Sequence, residues 1–428
     1  MNNRSLINDF LLKYNQHPDN IDIAKTVADM LDEMEIGLQG KDCSLLMIPT
    51  YLSTDGEVKY NDSVITIDAG GTNLRTALVT LTEEGTKVDF FQKRKMYGID
   101  EEMTWDEFIE NIVQLILPMV DKSNKIGFCF SYPADMMENK DGKVIMFTKG
   151  INITNCEGKV VGQSIKDCLK KHGVDKEMSF VLLNDTVSTL LGGPNIINEE
   201  VDGQIGLILG TGTNTAYTED IPAIEKLHSD NNGKMIINME SGNFNRIPLG
   251  EFDIRADAKG QPGFHLFEKG ISGLYLGHVV SEAIYQAADE GFFSAESKLK
   301  EMPYISSVEI DKFLRQPYGD NLVAKGCGNS NDVELVYNII DFALERGAKL
   351  VCCNLAAVIE KMDGGKKISA PCRIVAEGST FYKCYSYKEK IEYYMKDYVN
   401  GVQKRYYKFV SGDDVNLVGS ALAALLNS

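Results

Sequence analysis

Basic residues are outnumbered, 44 Lys and Arg against 62 Asp and Glu, for a formal net charge of -18. A surface with that deficit repels nucleic acid and anionic lipid, which argues against both as general partners. Histidine is also scarce, with five residues and none in a metal-binding pair. The nine cysteines are an odd number, two of them adjacent (Cys352, Cys353), and no C-x-x-C occurs. That pattern argues against a disulfide framework or a zinc site and fits core thiols in a reducing cytosol. The most apolar stretches, 350–359 and 417–426, fall well short of the roughly 20 residues that span a membrane. The opening residues lack the basic head and apolar core of a signal peptide. These absences lead us to expect a cytoplasmic protein without membrane segments. Missing as well are the Walker A loop, the G-x-G-x-x-G fingerprint, H-E-x-x-H and G-x-S-x-G. Any phosphate handling must come from other elements.

What is present is one glycine turn, twice. Asp68-Ala69-Gly70-Gly71-Thr72-Asn73 closes the alternating run Val64-Ile65-Thr66-Ile67, and Gly210-Thr211-Gly212-Thr213-Asn214 closes Ile205-Gly206-Leu207-Ile208-Leu209. Each reads as strand, tight turn and second strand (74–79; 215–218). Glycine is expected there for backbone angles that aim successive N–H groups at one point, with Thr and Asn adding donors. Two such hairpins facing across a cleft could hold both ends of a polyphosphate. The 428 residues, 43% hydrophobic and 25% charged, are too many for one small core, so two lobes are expected.

The spacing predicts a helical stretch over 5–36, and a helix opened by the capping box Thr104-Trp105-Asp106-Glu107. Strands are predicted at 125–130 and 179–183, a helix at 161–171, and a long helical region over 334–362 broken near Gly347. Strands alternating with helices predict an α/β fold, whose ligands gather at the carboxyl ends of strands. No low-complexity linker separates the lobes, and chain crossings are expected near 194–200 and 410–414.

Several residues suit chemistry as well as structure. Asp68 ends a buried strand beside a phosphate-type turn, where a carboxylate either caps a hairpin or organises magnesium through water. Arg75 suits a surface ion pair or a phosphate chain. Asp185, just past a strand's carboxyl end, suits a helix N-cap or a general base for phosphoryl transfer to a hydroxyl, with Asn184 beside it for a neighbouring hydroxyl. Ser131 and Thr148-Lys149-Gly150 offer hydroxyls and a cation suited to a polyol. Glu240, in Ile237-Asn238-Met239-Glu240-Ser241-Gly242, is unremarkable alone.

Taken in order, these segments resemble the hexokinase family of the actin-like ATPase superfamily. The resemblance rests on Ile67–Arg75, Gly127–Pro133, Thr148–Asn152, Leu183–Val187, Gly206–Asn214, Ile237–Glu240 and Phe267–Gly277, with looser matches over 346–361 and 375–383. It implies two RNase H-like α/β lobes: 60–195 plus 413–428, and 1–59 plus 196–412. It also implies ATP and magnesium as cofactors, and a hexose, glucose first, phosphorylated at its 6-hydroxyl. On that resemblance Asp185 is the base. Ser131, Thr148, Lys149, Asn184, Asn214 and Glu240 hold the sugar, with Lys149 also near the phosphoryl group. Asp68, Gly70, Gly71, Thr72, Asn73, Arg75 and Thr211 surround magnesium and phosphates, and Gly378 and Ser379 lie beside the adenosine. Where the family usually has a glutamate that grips the sugar's C1 end, this chain has His278, which bears on the choice of sugar. Glu240-Ser241-Gly242 likewise stands where the family has Glu-Trp-Gly. A single-copy monomer or homodimer is expected, not an organelle-anchored double form. The rivals are a kinase for mannose, fructose or an amino sugar, a non-catalytic sugar sensor, and an actin-like filament or chaperone ATPase.

Overall fold

The computed structural model describes residues 2–54, 56, 58–193 and 200–427. Two helices come first, α1 (Asn3–Lys13) and α2 (Ile23–Leu38). The single stretch predicted over 5–36 is interrupted because Asn15 turns left-handed (φ 54°) and Pro18 starts a short 3₁₀ turn. After the short β1 (Ile48–Pro49) come β2 (Ser63–Ala69), β3 (Asn73–Thr82) and β4 (Gly85–Lys95). Helix α3 (Trp105–Ile116) starts at the predicted capping box, where Thr104 N–H donates to Glu107 at 2.8 Å and Glu107 N–H returns a bond to the threonine hydroxyl. Then follow β5 (Lys125–Phe130), α4 (Val161–Lys171), β6 (Ser179–Leu183) and α5 (Asp185–Leu191). The first sheet runs β6-β5-β2-β3-β4, with β2 parallel to β5 and antiparallel to β3. β2 is buried along all but its first residue, as expected of a strand covered on both faces.

The second half repeats the scheme with β7 (Gln204–Leu209), β8 (Thr213–Asp220) and β9 (Lys234–Asn238). Helices α6 (Leu266–Ile271), α7 (Leu276–Asp289) and α8 (Ser330–Lys361) follow, then β10 (Cys372–Glu377), α9 (Ser379–Lys383), β11 (Tyr407–Val410) and α10 (Val415–Asn427). The second sheet runs β1-β9-β8-β7-β10-β11. Apart from the edge strand β1, both sheets are wired alike: a three-stranded antiparallel meander whose first strand is extended on its other side by two parallel strands. The predicted break in α8 near Gly347 is absent. That glycine serves packing, since a Cβ there would lie 2.5 Å from the Tyr387 hydroxyl.

The sheets meet through α5 and α10. Val187 and Leu190 of α5 and Leu417 and Ala421 of α10 share one core with Val64 and Val79 of the first sheet and Ala216 and Ile236 of the second. Glycines let backbones touch here: a Cβ on Gly206 would sit 2.5 Å from the Thr186 carbonyl oxygen, and one on Gly419 would sit 2.0 Å from that of Ser188. The crossing expected near 194–200 lies, but for residue 200, outside the described residues, while 411–414 joins β11 to α10. Among the described residues no helix is long and apolar enough to cross a membrane.

Candidate active site

The β2–β3 turn places Asp68 at the strand's buried end. Its Oδ2 accepts from Arg75 Nη1 at 3.3 Å on the partner strand, and its buried Oδ1 has no hydrogen-bond partner among the described residues. Burial pushes the Asp68 carboxyl up to about 6, opposed by the Arg75 guanidinium and reinforced by the Asp185 charge. Arg75 is therefore a half-buried partner of Asp68 rather than a surface ion pair. It also faces Glu377 at the end of β10, whose carboxyl burial raises and the guanidinium eases down.

The turn glycines serve a different purpose from the one the sequence suggests. Gly70, Gly71, Gly210 and Gly212 all lie outside the left-handed region. Gly71 and Gly212 are small because neighbours come close: a Cβ on Gly71 would sit 2.9 Å from Lys149 Cδ, and one on Gly212 would sit 2.4 Å from Glu268 Oε2. The first turn closes with Gly70 N–H donating to Asn73 O at 3.0 Å, while Asn73 Nδ2 donates to Thr72 Oγ1 at 2.8 Å. Thr72 and Thr211 are exposed at the two tips.

Lys149 reaches this turn from a left-handed residue (φ 60°). Its Nζ donates to Ser131 O at 3.0 Å and lies 5.8 Å from the Tyr132 ring centroid, and the Tyr132 hydroxyl donates to Gly70 O at 2.7 Å. The Ser131 side chain is buried just past β5, and Thr148 is half-buried.

At the carboxyl end of β6, Asn184 is the N-cap of α5: its Oδ1 accepts from Thr186 N–H at 2.8 Å. The capping reading of Asp185 is thereby corrected. Asp185 is the first helical residue, and among the described residues its carboxylate accepts one hydrogen bond, from the Thr186 hydroxyl at 3.4 Å. Its charge reaches Asp68, Tyr132 and, from the other half of the chain, Glu240, raising the pKa of each.

The second half contributes Asn214, Asn238, Glu240 and Glu268. Glu240 is a left-handed non-glycine residue (φ 54°), a conformation that surrounding structure must hold in place. Its Oε1 accepts from Asn238 Nδ2 at 2.8 Å and Asn214 Nδ2 at 3.1 Å, while Asn214 Oδ1 accepts from Thr215 and Ser241 N–H. Burial raises the Glu240 carboxyl, Asn238 eases it down, and Asp185 and Glu268 push it further up. Glu268 Oε2 accepts from Thr213 N–H at 2.9 Å, and its electrostatic neighbours include Lys149. Gly378 stands at the head of α9 (φ 118°), where a Cβ would lie 2.2 Å from Leu209 O, with Ser379 exposed next to it.

The structure thus gathers Asp68, Arg75, Ser131, Lys149, Asn184 and Asp185 on one side and Asn214, Glu240 and Gly378 on the other. It does not draw His278 into that network. The half-buried His278 ring stands edge-on to Tyr275 and 5.0 Å from Tyr304, and makes no hydrogen bond among the described residues. Burial lowers its pKa, Lys259 lowers it further and Glu282 opposes, a balance that favours the neutral ring. Sequence reasoning gave no role to Asn238, Glu268, Glu377 or Tyr132. Asn238 had a faint signal, two residues before Glu240 at a strand's exit; Glu268 lies in the Phe267–Gly277 run that carries the resemblance, but only the fold brings it to Gly212.

Family models described as hexokinase match residues 204–426 and 12–194. The chain is 30% identical to Hexokinase-1 of Spinacia oleracea over 94% of its own length and 87% of that protein. It is 28% identical to Hexokinase-1 of Saccharomyces cerevisiae, covering 95% and 89%. Among solved structures, hexokinase from Schistosoma mansoni complexed with glucose superposes with a TM-score of 0.78 at 21% identity, covering 99% of each chain. The chain belongs to the hexokinase family, enzymes that phosphorylate hexoses at the expense of ATP.

Proposed function

We propose that Asp185 is the general base of a hexokinase that moves the γ-phosphoryl group of ATP to the 6-hydroxyl of a hexose, glucose first. The observation that carries this reading is the Asp185 carboxylate at the head of α5. Asn184 has relieved it of capping, and its charge is felt from both halves of the site, at Asp68 and Glu240. A proton acceptor positioned at the hydroxyl is what phosphoryl transfer asks of the protein besides positioning and charge neutralisation. The 6-hydroxyl proton goes to Asp185, the oxygen bonds to the γ-phosphorus, and the bond to the ADP oxygen breaks.

The donors fit magnesium. Asp68 brings to the phosphate turn a buried oxygen with no hydrogen-bond partner among the described residues, and oxygen ligands partly through water are what that ion prefers. When bound, it would neutralise charge on the phosphates. Gly70, Gly71, Thr72, Asn73, Arg75 and Thr211 would line the phosphates, and Gly378 and Ser379 the adenosine. Ser131, Thr148, Asn184, Asn214 and Glu240 would hold the sugar, and Lys149 would span sugar and phosphoryl group. The doubled sheets support lobes at 60–195 plus 413–428 and 1–59 plus 196–412, closing on the sugar and excluding water. All nine thiols are free, which suits the cytoplasm.

The test is ATP-to-ADP turnover with magnesium across glucose, mannose, fructose, glucosamine and N-acetylglucosamine, with Asp185→Ala alongside. Sugar-dependent turnover lost in the variant supports the reading. Unchanged turnover in Asp185→Ala would falsify the assignment of the base, and sugar binding without turnover in the unaltered protein points to a sensor.

A further inference from the structure

Away from the cleft, the sequence expectation of no zinc-type site meets a counter-observation. Cys168 and His172 are four residues apart, on α4 and at its carboxyl end, so their side chains share one helix face. Glu110 of the neighbouring α3 turns toward them. Cys168 Sγ–H donates to Glu110 Oε2 at 3.2 Å, and His172 Nε2 lies 2.8 Å from Glu110 Oε1. One sulfur, one nitrogen and one carboxylate oxygen thus lie within 4.8 Å of one another. Among the described residues, no other group of three His, Cys, Asp or Glu side chains brings its ligand atoms so close. Gln114, one turn on from Glu110, donates to its Oε1 at 2.7 Å and holds the carboxylate in place. Cys168 is buried at 6% exposure, while the His172 and Glu110 side chains are half open at 30% and 45%. The group is closed behind the thiol and open in front.

We propose that Glu110, Cys168 and His172 bind one thiophilic divalent cation of the zinc class, with water in the fourth position. Zinc bonds of about 2.0–2.3 Å to such ligands place tetrahedral donors roughly 3.3–3.7 Å apart. The two hydrogen-bonded contacts need to open by a few tenths of an ångström to about half an ångström, and the sulfur-to-nitrogen edge, within 4.8 Å, needs to close by about 1 Å at most, a shift that side-chain rotation of the half-open His172 supplies. On binding, the Cys168 S–H bond breaks and its proton leaves to water. The Nε2–H bond that now donates to Glu110 breaks as well, its proton passing through water to Nδ1 so that the neutral ring keeps one proton, and bonds form from sulfur, Nε2 and a Glu110 oxygen to the ion. No electrons change hands. Magnesium, which takes oxygen ligands, is not a competitor, so this site is chemically separate from Asp68. It is separate in place as well: His172 leads into the start of β6, whereas Asn184 and Asp185 follow that strand's other end. The ion would tie α3 to α4 where two hydrogen bonds now do.

The test is titration of the full chain with Cd²⁺ and with Co²⁺ in excess magnesium. The readouts are thiolate-to-metal charge-transfer absorbance and protons released. The expected result is one equivalent bound, about one proton released, and the band lost in Cys168→Ser. His172→Gln and Glu110→Gln should each weaken binding at least tenfold, and Zn²⁺ should raise the melting temperature of the unaltered protein but not of His172→Gln. Should Cys168→Ser fail to fold, the two partly exposed variants carry the test alone. A band that persists in Cys168→Ser, affinity unchanged in both His172→Gln and Glu110→Gln, or no band at all overturns the proposal.

Discussion

Asn184 accepts the Thr186 backbone hydrogen at 2.8 Å and so relieves Asp185, the next residue, of capping the helix. The division of labour separates two losses. Asp185→Ala should lower turnover by about 10²–10⁴-fold, the range for removing a general base, while sugar binding partly survives. Asn184→Ala should cost about 1 kcal/mol of stability through the lost cap. Steady-state kinetics and thermal melts on both variants check this. A melting temperature that falls more in Asp185→Ala than in Asn184→Ala would mean the cap has been placed on the wrong residue.

Asp68 holds a buried charge at a cost to the fold. Its carboxyl stands at about 6 against an ordinary 3.8, so the protonated form is the one the ligand-free fold favours. At one unit per roughly 1.4 kcal/mol, the neutral isostere Asp68→Asn should stabilise the ligand-free protein at pH 7.5 by about 1–3 kcal/mol, less what Arg75 loses with its partner. Turnover should be abolished. Chemical denaturation with and without Mg–ATP reads both effects, and a destabilised Asp68→Asn would contradict the account.

The same carboxyl sets opposite pH trends for stability and activity. Its folded value is raised, so its contribution to stability is fully present below about pH 4 and lost as pH rises through about 6. Magnesium needs the ionised form, so kcat/KM for Mg–ATP should fall about tenfold per unit below pH 6. An acid limb centred near pH 4 would show that Asp68 is not the group responsible.

Asn238 orients Glu240 and hydrogen-bonds to the Asn214 amide. Its amide donates to Glu240 Oε1 at 2.8 Å, and a hydrogen bond to a charged group is worth about 1.5–3 kcal/mol. Asn238→Ala should weaken hexose binding by about 10- to 100-fold by calorimetry, with kcat at saturating sugar changed much less. An equal loss in kcat would place Asn238 nearer the chemistry than this geometry does.

Much of this was legible from local pattern. The Thr104 capping box, the 125–130 and 179–183 strands and the 161–171 helix depend on neighbours a few residues away, and the structure has them where spacing puts them. The doubled hairpin likewise announced the doubled sheet. What spacing could not give was contact at long range. Gly71, Gly212 and Gly347 read as conformational or helix-breaking glycines, yet they make room for Lys149, Glu268 and Tyr387, each brought by a distant segment. The i,i+4 spacing of Cys168 and His172 did not read as a metal-binding pair, because its third member, Glu110, arrives only where α3 packs on α4.

The bare backbone between the two sheets bears on how the cleft can close. Where α5 and α10 meet each other and their sheets, Gly206 abuts Thr186 O, Gly419 abuts Ser188 O and Gly127 abuts Ser420 O. Interlocked side chains resist sliding like meshed teeth, because rotamers must change before one element can pass another. A seam of glycine against carbonyl has no teeth there. It would act as a plain bearing: a rotation of one half on the other would need no rotamer change at these three points.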